Sequence, residues 1–348
     1  WPMFRGDPTL RGVSPASLPD RLARRWTHPT GQPVSSSAAI VDGRVYIGSG
    51  NSNLLCLNLT NGQPVWSFVA GGPIEASPLV LDGRVYVGDI QTNFYCLDAA
   101  RGSVLWARGF DDKVKSSASW APGPLPGRKQ VIVGNYDFRL YSFDAESGRT
   151  NWVYETGNYI NGSPAIGDGL TAFGGCDAIV HVVSVTNGTK VREIDAGAYI
   201  AASAAVVDQR AYVGHYENEF LCVDLAGGRV AWRYKDRAFP FMSSPAVTTD
   251  RVVVGSHDKR LHCLRRDTGE AVWTFATRGK VQSSPVVAGD KVLVGSDDGR
   301  LYLVALADGR ELWSYEIGQP VGSSPAVVDG WVVVGSEDGQ VYAFGPAP

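Results

Sequence analysis

The chain has 348 residues, with 32 Lys and Arg against 35 Asp and Glu and a formal net charge of −3. That balance excludes a basic footprint for nucleic acid or anionic lipid, and no apolar run approaches the ~20 residues of a membrane-spanning helix. The 41 Gly, 20 Pro and 10 Trp point instead to many short strands joined by tight turns.

The first residue is Trp1 rather than methionine. An exported protein is therefore expected, with a signal segment or lipid anchor lying outside this sequence. The opening WPMFRGDPTLRGVSP (1–15) leads into ARRWTHPTGQPV (23–34), and the latter parallels LWSYEIGQPV (312–321) near the other end of the chain.

From residue 35 onward a unit recurs. Its marker is a serine-rich strand start, in turn SSSA, EASP, KSSA, NGSP, AASA, MSSP, QSSP and GSSP, with the last serine at Ser37, Ser77, Ser117, Ser163, Ser203, Ser244, Ser284 and Ser324. The spacings are 40, 40, 46, 40, 41, 40 and 40, so eight units are present. Each continues through an apolar run, a turn such as VDGR (41–44), and a β-branched run ending in glycine (VYIG, VYVG, VIVG, VVVG). An alternating strand such as LYLVAL (301–306), an Asp/Asn/Gly turn and a strand such as ELWSYE (311–316) follow. These are period-2 segments separated by turn residues, with no helical period between them. Four strands in about 40 residues make one propeller blade. The predicted fold is all-β, an eight-bladed β-propeller of four-stranded antiparallel blades. The one long unit, blade 3, carries APGPLPGR (121–128), an exposed loop insertion between its first two strands.

Blade 8 runs out early. Its sequence VVVGSEDGQVYAFGPAP (332–348) holds a third strand but no tryptophan strand. Tryptophans recur at Trp66, Trp106, Trp152, Trp232, Trp273 and Trp313, with Arg192 in the blade 4 slot, and forty residues before Trp66 stands Trp26. The N-terminal segment 1–34 is therefore expected to supply the outer strand of the last blade. Blades 1–8 then occupy 35–348, and residues 1–348 form one domain whose ring has no open edge.

The stretches CLDAARGSVLW (96–106), SFDAESGRTNW (142–152) and CVDLAGGRVAW (222–232), with looser copies at 56–66, 182–192, 263–273 and 303–313, resemble the tryptophan-docking motif of the PQQ-like, quinoprotein-type β-propeller repeat family. The opening WPMFRGDPTLRGVSP also resembles that family's N-terminus. The compact chain is most similar to the BamB-like members, outer-membrane assembly lipoproteins that are not enzymes. The resemblance implies that Trp26, Trp66, Trp106, Trp152, Trp232, Trp273 and Trp313 dock each blade on the next. Each indole would lie over a turn glycine, among Gly62, Gly102, Gly148, Gly188, Gly228, Gly269 and Gly309. A tryptophan buries about 150–250 Å² and needs one partner for its N–H, which suits it to that task.

The quinoprotein enzymes of the family hold their cofactor under a ring of two adjacent cysteines. They add an oxygen cage for calcium and an aspartate base. No Cys-Cys pair occurs here and the blades are nearly minimal, so no catalytic residue, cofactor or metal is expected. His181 and His262 fall in a strand slot filled elsewhere by Tyr95, Tyr141 and Tyr302 and read as half-buried strand residues. His215 and His257, near Glu217 and Asp258, lie in turns where no third ligand is fixed by spacing and read as solvated. Cys56, Cys96, Cys222 and Cys263 share one strand position in four blades, too far apart for disulfides, and read as small hydrophobes. Cys176 breaks that pattern and is the one candidate reactive thiol.

In such a blade the turn between strands two and three shares a face, the top, with the connection between blades. On blades 3–6 this face carries Tyr136, Phe138, His215, Tyr216 and His257 in the turns and Tyr159, Tyr199 and Phe239 in the connections. Blades 7 and 8 offer Asp297, Asp298, Glu337 and Asp338, which read as ordinary Asp-Gly turn chemistry. Exposed aromatic loops flanked by charge are an interface signature. The expected function is a non-catalytic protein-interaction scaffold of the periplasm or cell envelope, binding other envelope proteins as a subunit of a larger complex. A PQQ-binding redox protein and a ligand-sensing ectodomain are the alternatives.

Overall fold

A computed structural model of the chain describes residues 1–346. The Asp-Gly pairs that punctuate the repeats act as expected of hairpin turns. Asp42 and Gly43 take φ of 50° and 68°, the pair of positive values that a type I′ turn requires, so Ala39–Val41 folds back onto Arg44–Gly48. The third and outer strands, Asn53–Asn58 and Pro64–Val69, complete an antiparallel sheet. Seven further sheets repeat this order, the seventh blade gaining Val13–Ser14 as a fifth, parallel strand at its inner edge, and no helix occurs among the described residues. The fold is an eight-bladed β-propeller.

The glycine ending each second strand is where one blade meets the next connection. A Cβ on Gly48 would lie 2.2 Å from Ile74, and one on Gly88, Gly134 or Gly335 would lie within 2.5 Å of Val114, Ile160 or Val34. The apolar residue of the following connection occupies the space a side chain would need.

Each outer strand carries a β-bulge one residue before the tryptophan slot. In blade 2, Val104 pairs with Leu97 and Trp106 with Cys96, leaving Leu105 unpaired, and all eight blades show the same shift. A bulge turns a side chain away from its regular direction, and here the indole turns toward the next blade. Trp66 lies over Gly102, whose Cβ would come within 2.6 Å of the ring and whose φ is +71°. At six junctions the indole N–H donates to a carbonyl of the next blade at 2.7–3.2 Å. The shared cysteine position is also explained, because it is the residue paired opposite the indole, as Cys56 with Trp66 and Cys222 with Trp232. All four of these thiols are fully buried, and burial pushes them up to about 11 for Cys56 and Cys222 and about 12 for Cys96 and Cys263.

The ring closes as the sequence indicates. Leu22–Pro29 pairs antiparallel with Gln340–Pro346, Trp26 standing opposite Ala343, to complete blade 8. Trp26 is buried, and its N–H donates to Leu59 O of blade 1 at 2.7 Å. The opposite side of the seam differs. Blade 8 has no turn glycine to receive Trp313, which packs edge-on against Phe344 at 5.6 Å and makes no indole hydrogen bond among the described residues.

Two features of the central channel are not expected from the repeats alone. The marker serines form a closed circle: each hydroxyl oxygen accepts the backbone N–H of the preceding blade's marker serine at 2.8–3.1 Å, and Ser37 accepts from Ser324 to finish it. Below that circle residues 1–14 run once around the ring. Carbonyls of Trp1, Pro2, Pro8, Thr9, Arg11 and Gly12 accept the free inner-strand N–H groups of Ile40, Val80, Ile166, Val206, Val247 and Val287. The segment thus satisfies exposed strand edges and floors the channel. Arg5 is fully enclosed there, donating to the carbonyls of Pro245, Ser284 and Pro285. Gly6 makes room for the Trp1 ring and Gly12 for the Arg5 guanidinium.

Candidate functional site

The top loops of blades 3–6 bring their aromatic residues together in two groups. Tyr136 stacks on Tyr159 with centroids 4.9 Å apart, Phe138 meets Tyr159 edge-on at 5.1 Å, and Lys113 Nζ lies 4.7 Å from the Tyr136 ring centre. Tyr136 itself is half-buried. Its hydroxyl donates to Asn161 Oδ1, whose Nδ2 in turn meets Cys176 Sγ at 2.9 Å, so the candidate thiol is half-buried and tied into this cluster. The second group is Tyr199 and Tyr216, joined by the bond from Tyr216 N–H to Tyr199 O at 3.0 Å, with Phe239 on the next connection. Tyr199 is 57% exposed, Tyr216 47% and Phe239 46%.

His215 is the correction. It is not presented to solvent from its turn but buried at 2% exposure. Its Nδ1 accepts the Glu217 N–H at 3.1 Å, while Nε2 stands 3.6 Å from Glu219 and has no hydrogen bond. His257 is half-buried, its Nε2 likewise unpartnered. Burial lowers the basicity of both rings. The unfolded chain therefore takes up protons more readily than the folded one just below the ordinary histidine value of about 6.5, and stability falls as pH drops through that value. Chemical denaturation across pH 5–8 should show this loss, with a shallower slope in His215→Gln. An unchanged slope would remove His215 from the account.

The acidic turns hold the blades, which sequence reading missed. Tyr302 donates to Asp298 at 2.9 Å, Tyr141 to Asp137 at 2.6 Å and Tyr95 to Asp89 at 3.0 Å, and in blade 4 His181 takes the same place on Asp177 at 2.8 Å. Each turn carboxylate is anchored by the third strand of its own blade. The signal was present as Asp followed four residues later by Tyr or His in most blades.

The family model described as "Outer membrane protein assembly factor BamB" matches residues 19–91, 82–275 and 267–347. The chain belongs to this family. No curated protein matches it. Among solved structures, BamB from Moraxella catarrhalis is 19% identical, with a TM-score of 0.77 over 94% of this chain and 100% of that one. The computationally designed Ika8 protein is 15% identical, with a TM-score of 0.81 over 97% and 99%. The quinohemoprotein alcohol dehydrogenase of Comamonas testosteroni is also 15% identical, at 0.81 over 100% of this chain and 81% of that one. Identities this low show that the fold is shared.

The side chains of this BamB-like propeller do not fit the cofactor chemistry of its quinoprotein relatives. It has no adjacent cysteine pair. Among the described residues, one group of His, Cys, Asp and Glu has ligand atoms within 4.8 Å of one another: Asp236, Asp258 and His262. There His262 Nε2 meets both Asp258 oxygens at 3.2 Å and Nδ1 meets the Tyr234 hydroxyl at 3.1 Å. The tautomer satisfying both carries its proton on Nε2. The same Tyr–His–Asp chain recurs as Tyr154, His181 and Asp177, marking it as a blade-stabilising unit rather than a metal cage. The large cleft of 710 Å³ between blades 5 and 6 is on the opposite rim, and two ion pairs close within its lining, Arg266 with Asp208 and Arg251 with Asp250.

Proposed function

We propose that the protein is a non-catalytic interaction scaffold of the bacterial cell envelope. It holds other envelope proteins on the top face of blades 3–6, as part of a larger complex. The observation that carries this reading is five aromatic rings, Phe138, Tyr159, Tyr199, Tyr216 and Phe239, each 40–57% exposed on neighbouring loops of one face. Tyrosine and phenylalanine offer large contact area at small entropic cost, which is why interfaces concentrate them. Membership of a family described by an outer-membrane assembly factor supports the envelope setting.

The test is a triple variant, Tyr199→Ser, Tyr216→Ser and Phe239→Ser. All three side chains are exposed, so the melting temperature is expected to stay within about 2 °C of wild type. Quantitative capture from solubilised envelope should show a set of proteins retained by the wild type and reduced at least tenfold by the variant. Equal capture by both would overturn the assignment to this face.

A further inference from the structure

One junction of the ring lacks its tryptophan. Between blades 4 and 5 the tryptophan slot holds Arg192. Its side chain takes the indole's place over the receiving glycine: a Cβ on Gly228 would lie 3.4 Å from Arg192 Cδ and Nη1. A guanidinium on an aliphatic stem fills less of the crevice than an indole. A cavity of 140 Å³ remains beside it, with Leu170, Val191, Val206, Leu225 and Ala226 as its apolar wall and Arg192, Asp168 and Gln209 as its polar lining. Its exposed surface is mostly apolar, and apolar cavities of about 150 Å³ accept benzene-sized ligands.

Two polar groups at this junction are also unused. At the six complete junctions the carbonyls of Leu59, Ala99, Ala145, Val185, Arg266 and Leu306 each accept an indole N–H. The equivalent carbonyl here belongs to Leu225, one residue beyond its third strand like the others. It accepts no hydrogen bond among the described residues. Arg192 makes no ion pair among the described residues either, and it is exposed.

We infer that the blade 4–5 junction binds a free indole-like molecule, a small planar aromatic with a ring N–H and an acidic side chain. The ring fills the cavity beside the Arg192 stem, its N–H donates to Leu225 O, and the acid meets Arg192 as a charge-assisted bond. The crevice lies on the rim opposite the aromatic loops, so this inference is independent of the proposed function.

Indole, indole-3-acetate and tryptamine are the probes, followed by ligand-observed NMR and calorimetric titration of the whole chain. Wild type should bind indole saturably and prefer indole-3-acetate over tryptamine at least tenfold. Arg192→Trp, which supplies the missing ring, should raise the melting temperature by several degrees and abolish indole binding. The exposed Ala226→Phe fills the same cavity from its rim and should weaken indole at least tenfold if the first variant folds poorly. Arg192→Ala should keep indole binding but lose the preference for the acid. Absence of saturable binding at millimolar indole, or undiminished binding in both filled variants, overturns the site. Equal affinity for the acid and the amine overturns the role of Arg192.

Discussion

Trp26→Ala is expected to lower the stability of the whole ring by about 3–5 kcal/mol, the cost of deleting a buried aromatic ring. Trp26 belongs to a core cluster drawn from both sides of the seam, with Val341 and Ala343 of blade 8 and Ile40, Leu57 and Leu59 of blade 1. Its loss leaves a cavity and an unpaired carbonyl at Leu59 where the chain must close. Trp313→Ala is expected to cost clearly less, because that indole is more exposed and makes no hydrogen bond among the described residues. Urea unfolding of the two variants compares them directly, and equal losses would contradict the distinction. Deleting residues 1–34 removes the outer strand of blade 8 and the floor of the channel together. The expected result is loss of the single cooperative transition, and wild-type melting in that truncation would sink the closure.

The second large effect is expected at Gly214. A Cβ there would lie 2.4 Å from Phe241 Cβ and 2.5 Å from Phe241 O. Two of the three nearest atoms are backbone and the third is a Cβ that any residue except glycine keeps, so shortening Phe241 to alanine gives no relief. Gly214→Ala should therefore cost roughly 3 kcal/mol, near the upper end for overpacking a core, and Gly214→Val more. Gly109→Ala is the control: nothing lies within 4 Å of that Cβ, and the change should stay within about 0.5 kcal/mol. Denaturant midpoints decide it. If the double variant with Phe241→Ala recovers most of the loss, the clash is with the side chain and the backbone argument fails.

Most of the architecture was readable from the chain because it is written in short-range signals. Alternation with period 2, Asp-Gly pairs at hairpins and a serine every forty residues are local, and eightfold recurrence multiplies a weak pattern into a firm one. Even the closure of the ring was readable, since Trp26 falls on the same forty-residue comb as the other tryptophans. The aromatic residues of the top loops could be placed on one face by counting turns. Their division into a Tyr136–Phe138–Tyr159 cluster and a Tyr199–Tyr216 pair could not, because it depends on how loops from different blades lean together.

What repeat counting misses lies where the eightfold rule is broken or where the chain crosses the ring. Arg5 donates to carbonyls 240–280 residues away, so no local pattern around WPMFRGD announces that it floors a channel. His215 sits in a polar turn by sequence, yet its ring is buried while Tyr216 beside it stays exposed, and its carbonyl accepts the Phe241 N–H of the following connection. Arg192 was visible as a departure from the tryptophan comb, but the cavity it leaves depends on the distance between two blades. Periodic composition therefore specifies the number, order and sealing of the blades. The channel floor, the buried imidazole and the open junction were settled by packing between segments distant in the chain, because burial and free volume belong to the assembled ring and to no single repeat.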